Sequence, residues 1–136
     1  MYKGIAVATP TRAKGNKATM FFNFEKFSDI ITGVYQGGPY TLDDVLFVFR
    51  YYFDAYERNV GKPHPNIRAE QIASIIDRMP YVDGRSAGGS ICDILPEDYP
   101  AMIERHFNTR YQDCDYNINH FFSGRIRFLR LYEILR

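Results

Sequence analysis

Gly84-Arg85-Ser86-Ala87-Gly88 is a Gly-x-Ser-x-Gly sequence, the pattern that carries the nucleophile of many hydrolases on a sharp strand-to-helix turn. Asp113 or Asp115 and then His120 follow in the chain order Ser, Asp, His that such enzymes use. That chemistry needs a strand before the serine and a helix directly after it, above a parallel sheet. Here Pro80-Tyr81-Val82-Asp83 precedes and Gly89-Ser90-Ile91 follows, with no alternation of strands and helices around them. The match is read as a loop, and no catalytic residue is assigned.

His64, His106, Cys114 and His120 are the side chains that could gather around a metal ion. Neither the 106-to-114 nor the 114-to-120 interval puts two ligands on one helix face, so no metal and no cofactor is expected. His64 sits between Pro63 and Pro65, where a rigid turn is the simpler role. Cys92 and Cys114 have 21 residues between them, a spacing of neither a zinc ribbon nor a Cys-x-x-Cys pair. Two reduced, partly buried thiols are expected. The acid pairs Asp43/Asp44 and Glu97/Asp98 fall at expected helix starts, where carboxylates satisfy orphan amides. The glycines of 84–90 lack the Gly-Lys-Ser/Thr ending of a phosphate cradle. Ala69 to Ile76 resembles the first helix of a helix-turn-helix. About twenty residues of Pro- and Gly-rich chain then intervene, where that motif allows three or four.

Two surface constellations remain. On a helix over 41–58, Phe47, Tyr51 and Arg58 fall together, away from the stripe containing Leu42, Phe49 and Phe53. Aromatic residues and arginine in that position either meet a second layer of the domain or mark a contact with a partner. On the last helix, Arg127, Arg130 and Glu133 form a narrow polar strip, while apolar residues wrap the rest. A helix so apolar is either central or lies in a contact between copies of the chain. Arg125, Arg127 and Arg130 beside Tyr116, Phe121 and Phe128 also resemble the cations and stacking rings used on single-stranded nucleic acid.

The elements that must position these residues are mostly helical. Phe24, Phe27, Ile30, Ile31 and Val34 recur at helical spacing over 24–34. Thr41 caps the next helix, whose face is Leu42, Val45, Leu46, Phe49, Tyr52, Phe53 and Tyr56. A third runs from about Asn66 or Ile67 to Met79, and a fourth starts at Pro96 or Asp98. A fifth segment carries Ile118, Phe121 and Phe122, broken at Ser123-Gly124 before a terminal helix over 125–135. Ahead of all these, residues 1–23 read as a β hairpin or extended arm with a basic connection at Arg12, Lys14 and Lys17. The expected fold is therefore one mainly α domain, a compact bundle of four to five helices over 24–136 with that arm in front.

Composition limits what such a domain can do. The 136 residues suit one domain, and 11 Tyr with 11 Phe provide enough apolar area to exclude disorder. Lys and Arg total 17 against 16 acids, so bulk attraction to nucleic acid or anionic membrane is not implied. The charge is uneven: the first 40 residues carry +3, residues 67–115 carry −4 and residues 116–136 carry +3. No apolar stretch approaches the ~18 to 20 residues of a membrane span, and the first eight residues are too short an apolar run for a signal peptide. A cytoplasmic location is expected.

Lys62-Pro63-His64-Pro65 through Met79-Pro80-Tyr81, then Pro96-Glu97-Asp98-Tyr99-Pro100 and Cys114 to Phe122, resemble small uncharacterised proteins of Gram-positive mobile genetic elements. The likeness covers about the last 75 residues. It implies a cytoplasmic accessory protein acting on a protein or protein–nucleic acid complex, host defence machinery included, and it carries over no functional residue. The leading expectation is a non-enzymatic macromolecular interaction protein using Phe47, Tyr51 and Arg58. Its rival is direct nucleic-acid binding by Arg12, Lys14 and Lys17 with Arg125, Arg127 and Arg130. An enzyme ranks third.

Overall fold

A computed structural model describes residues 23–85 and 88–135. The expected N-terminal arm, apart from Asn23, lies outside the described residues. Among the described residues the chain is mainly helical, with six α-helices and one two-stranded antiparallel hairpin.

The first helix, α1, is Phe24–Val34, capped by the Asn23 side chain, which accepts from the Glu25 and Lys26 amides at 3.0 and 3.3 Å. α2, Leu42–Val60, opens on a capping box. Thr41 Oγ1 accepts from the Asp44 amide, and the Asp44 carboxylate accepts from the Thr41 amide, both at 3.1 Å. Gly61 ends it at φ +90°, a left-handed conformation that glycine adopts without a Cβ penalty. α3, Ala69–Arg78, starts later than the Asn66 or Ile67 expected. There the Gln71 side chain, two residues into the helix, accepts from the Arg68 amide at 2.8 Å.

The segment read as a plain glycine loop is the turn of a hairpin. β1, Tyr81–Asp83, pairs with β2, Ile91–Asp93, with Val82 opposite Cys92. A 3-10 turn at Pro96–Asp98 leads into α4, Tyr99–Phe107. α5 is one turn, Ile118–Phe121, and α6, Gly124–Leu135, follows the break expected at Ser123-Gly124.

α2 lies at the centre, against α1 on one side and α4 on the other, and α6 packs on α4 and β1. Its inner face carries Val45, Val48, Phe49, Tyr52, Phe53, Ala55 and Tyr56, all buried. Phe27 sets its ring edge-on to Phe49 and Phe53 at 5.4 and 5.1 Å, the arrangement that aligns a positive ring edge with a negative face. The core continues through Tyr99, Met102, Ile103, Phe121 and Phe122, so one apolar cluster spans the elements from α1 to α6. No described helix is long and apolar enough to cross a membrane.

Candidate interaction surface

Phe47, Tyr51 and Arg58 share one side of α2, as their spacing requires. The structure adds a fourth residue. Glu104 of α4 accepts from the Tyr51 hydroxyl at 2.7 Å and from both Arg58 terminal nitrogens, at 2.7 and 3.4 Å. Hydrogen bonding by Arg58, then by Tyr51, holds the Glu104 carboxyl below its usual range, so it stays ionised. Burial, and then the bond to Glu104, raise the Tyr51 phenol. Tyr51 and Arg58 thus form an intramolecular clamp between α2 and α4. No local spacing signals Glu104, which lies 46 positions from Arg58 in the chain.

Arg58 keeps an exposed side chain while bound to Glu104, and Phe47 is outward as well. It is 44% exposed, with its ring centroid 6.2 Å from that of Tyr51. It borders a groove of about 580 Å³ between α1 and α2, floored by Phe24, Leu46 and Tyr51 and edged by Glu25, Asp43 and Asp54. Arg50 lies over the Phe24 ring at 5.0 Å and pairs with Asp54 one helical turn on at 3.8 Å, a spacing that supports the helix modestly.

The terminal arginine strip is not a solvent face. Arg127 is 1% exposed and Arg130 is 5% exposed. One Arg127 nitrogen donates to the Arg78 carbonyl at 2.9 Å, the Tyr81 carbonyl at 2.9 Å and the Tyr99 hydroxyl at 3.1 Å. Its guanidinium also lies over the Phe122 ring at 5.0 Å. Arg130 donates to Thr109 and Tyr111 and pairs with Glu133 at 3.0 Å. The reading of these arginines as a polar strip available to a partner is corrected for a geometric reason: α6 turns both inward. Arg127 meets carbonyls that end α3 and begin β1, and Arg130 meets the Thr109 and Tyr111 hydroxyls. Arg125 alone of the three faces solvent. Arg12, Lys14 and Lys17 lie outside the described residues.

Of the residues with potential for covalent or metal chemistry, His106, Cys114 and His120 are neighbours, the two histidine rings 5.3 Å apart. Ser86 lies outside the described residues; the next described element in the chain after it is the strand β2, where a nucleophile elbow requires a helix. The flanking glycines have packing roles, since a Cβ at Gly84 or Gly89 would overlap the Phe128 ring. Asp115 accepts from the Asn117 amide at 3.0 Å, while His120 faces the Cys114 sulfur at 3.4 Å. His64 is elsewhere, its ring 4.7 Å from that of Phe53. Its Nδ1 lies 2.7 Å from the Pro65 carbonyl, which can only accept, so that nitrogen carries the proton. Nε2 then accepts from the Ile118 amide at 3.0 Å. Among the described residues no group of three or more His, Cys, Asp or Glu is arranged to hold a metal ion. Both cysteines are free and half-buried.

No family model, curated protein or solved structure matches this chain.

Proposed function

We propose that this chain is a non-enzymatic interaction protein that holds a protein, or the protein part of a protein–nucleic acid complex, against the groove beside Phe47. One observation carries the reading. A large aromatic side chain is 44% exposed on a helix whose neighbouring positions are locked by the Tyr51–Glu104–Arg58 clamp. A ring presented from a rigid element loses little conformational freedom on binding, which is the usual character of an interface anchor. The likeness to mobile-element proteins supplies the setting we favour, a cytoplasmic accessory factor. The nucleic-acid reading has less support, because Arg127 and Arg130 already serve internal acceptors.

A photocrosslinking amino acid placed at position 47 in living cells, followed by purification of the adduct and calorimetry with the purified partner, tests this. Phe47→Ala should weaken that complex by about tenfold or more while leaving the fold intact. An unchanged affinity would remove Phe47 from the interface and the proposal with it.

A further inference from the structure

Among the described residues, the hairpin has one edge that other elements cover and one that they do not. The Gly84 amide donates to the Ser90 carbonyl at 3.2 Å and the Ile94 amide to the Pro80 carbonyl at 2.9 Å. In an antiparallel ladder hydrogen-bonded pairs alternate, so Val82 and Cys92 form the bonded pair between those two. Tyr81 and Asp83 on β1, and Ile91 and Asp93 on β2, therefore turn their amides and carbonyls outward. On β1 the Tyr81 carbonyl is taken by Arg127 of α6. On β2 no hydrogen bond from the Ile91 or Asp93 backbone to any other element is present among the described residues.

The same register sets the side chains. Val82 points into the core, while Tyr81, Ile91 and Asp93 share the opposite face. Tyr81, Ile91 and the adjoining Leu95 are 38%, 54% and 56% exposed. They border a groove of about 750 Å³ whose charged residues are Asp44, Asp83, Asp93 and Arg85. Arg85 is already bound to Asp83 and holds that carboxyl down at about 2, which leaves Asp44 and Asp93 as acids with no further cation among the described residues of the groove to offset them.

We infer that the open edge of β2 takes an extended strand from a partner protein, one that sets a basic side chain beside Asp93 and an aliphatic one beside Ile91. Up to four backbone hydrogen bonds, from the amides and carbonyls of Ile91 and Asp93, hold the strand, and the groove reads alternate side chains. Charge selects the occupant. A second copy of this chain would bring Asp44, Asp83 and Asp93 against their own equivalents, whereas a Lys or Arg two residues from an aliphatic residue meets both halves of the surface. The inference rests on reading the chain as a protein-binding domain, but it uses a face separate from Phe47.

The probe is an acetylated, amidated peptide of alternating Lys and Val, titrated into the full chain and followed by calorimetry and by amide exchange. Saturable binding is expected, with slowed exchange at the Ile91 and Asp93 amides. The Cys92 amide, already paired with β1, is the internal reference. A Glu/Val peptide, a Lys/Val peptide N-methylated at alternate residues, and the Asp93→Lys variant with the original peptide should each bind about tenfold more weakly or not at all. Phe47→Ala should bind the peptide as the parent chain does, so failure at this edge and failure of the Phe47 proposal are separable. Equal binding of the acidic or N-methylated peptide would overturn the inference, as would no binding at all. Sedimentation showing dimers that Asp93→Lys abolishes would assign the edge to a second copy instead, and overturn it equally.

Discussion

Two buried histidines make the protein sensitive to acid. The His64 ring can keep its bonds to Pro65 and Ile118 only in the neutral form, because a proton on Nε2 would face the Ile118 amide donor. Burial lowers its pKa to about 4, against the opposing effects of the Pro65 carbonyl and Asp115. Among the described residues, neither ring nitrogen of His106 has a hydrogen-bond partner. Burial, then the neighbouring His120 and Arg130, bring it down to about 3. The unfolded chain therefore binds more protons than the folded one between these values and the ordinary histidine pKa of about 6.5. Stability contributed by the neutral rings is present above pH 6.5 and declines as the pH falls toward 4 and then 3. The loss is on the order of 3 kcal/mol per histidine at pH 4. Urea unfolding measured across this range should show it, and His64→Gln should reduce the slope by one proton. A flat profile from pH 7 to pH 4 would mean that neither ring is held neutral by the fold.

At the scale of elements, the hairpin and α6 form one unit, because the Phe128 ring rests on the backbone at Gly84 and Gly89. Gly84→Ala should cost about 1 to 3 kcal/mol by overpacking in thermal melts. In a Phe128→Ala background the same change should cost much less, since the ring it collides with is gone. Additive effects would show that the contact is not what requires glycine. The same pair explains where sequence reasoning succeeded and where it did not. α1, α2 and the break before α6 were legible because each has a local cause: periodic apolar residues, the Thr41 cap, and Ser123-Gly124 between two short apolar runs. The hairpin was not, because three-residue strands carry too little alternation, and glycines selected by a distant ring look like those of a flexible loop. Helical spacing set Phe47 off the main apolar face but left open whether a second layer covers it; the fold leaves it 44% exposed. The Glu104 that binds Tyr51 and Arg58, and the carbonyls that draw Arg127 inward, depend on contacts between residues far apart in sequence, which no local pattern encodes.

At the scale of the whole molecule, most of the described cations are engaged by acids or carbonyls of the fold itself. Glu133 of α6 takes both Arg105 of α4 and its own neighbour Arg130, and Glu104 takes Arg58 of α2. Few of the described cations are left to neutralise phosphates, and nucleic-acid affinity depends on how many are. Mixed-sequence DNA and RNA should therefore bind only weakly at physiological salt. The C-terminal arginines separate by burial rather than by position. Arg125→Ala, at the exposed site, should leave stability within about 0.5 kcal/mol. Arg127→Ala should cost about 3 kcal/mol, because it removes the donor to the Arg78 and Tyr81 carbonyls and to the buried Tyr99 hydroxyl. Fluorescence titrations over a salt series, paired with melts of the same variants, check both halves. Tight binding at physiological salt that lost about one unit of salt slope with Arg125→Ala would put nucleic acid ahead of a protein partner. If Arg127→Ala also lost slope without losing stability, the inward packing of α6 would be wrong.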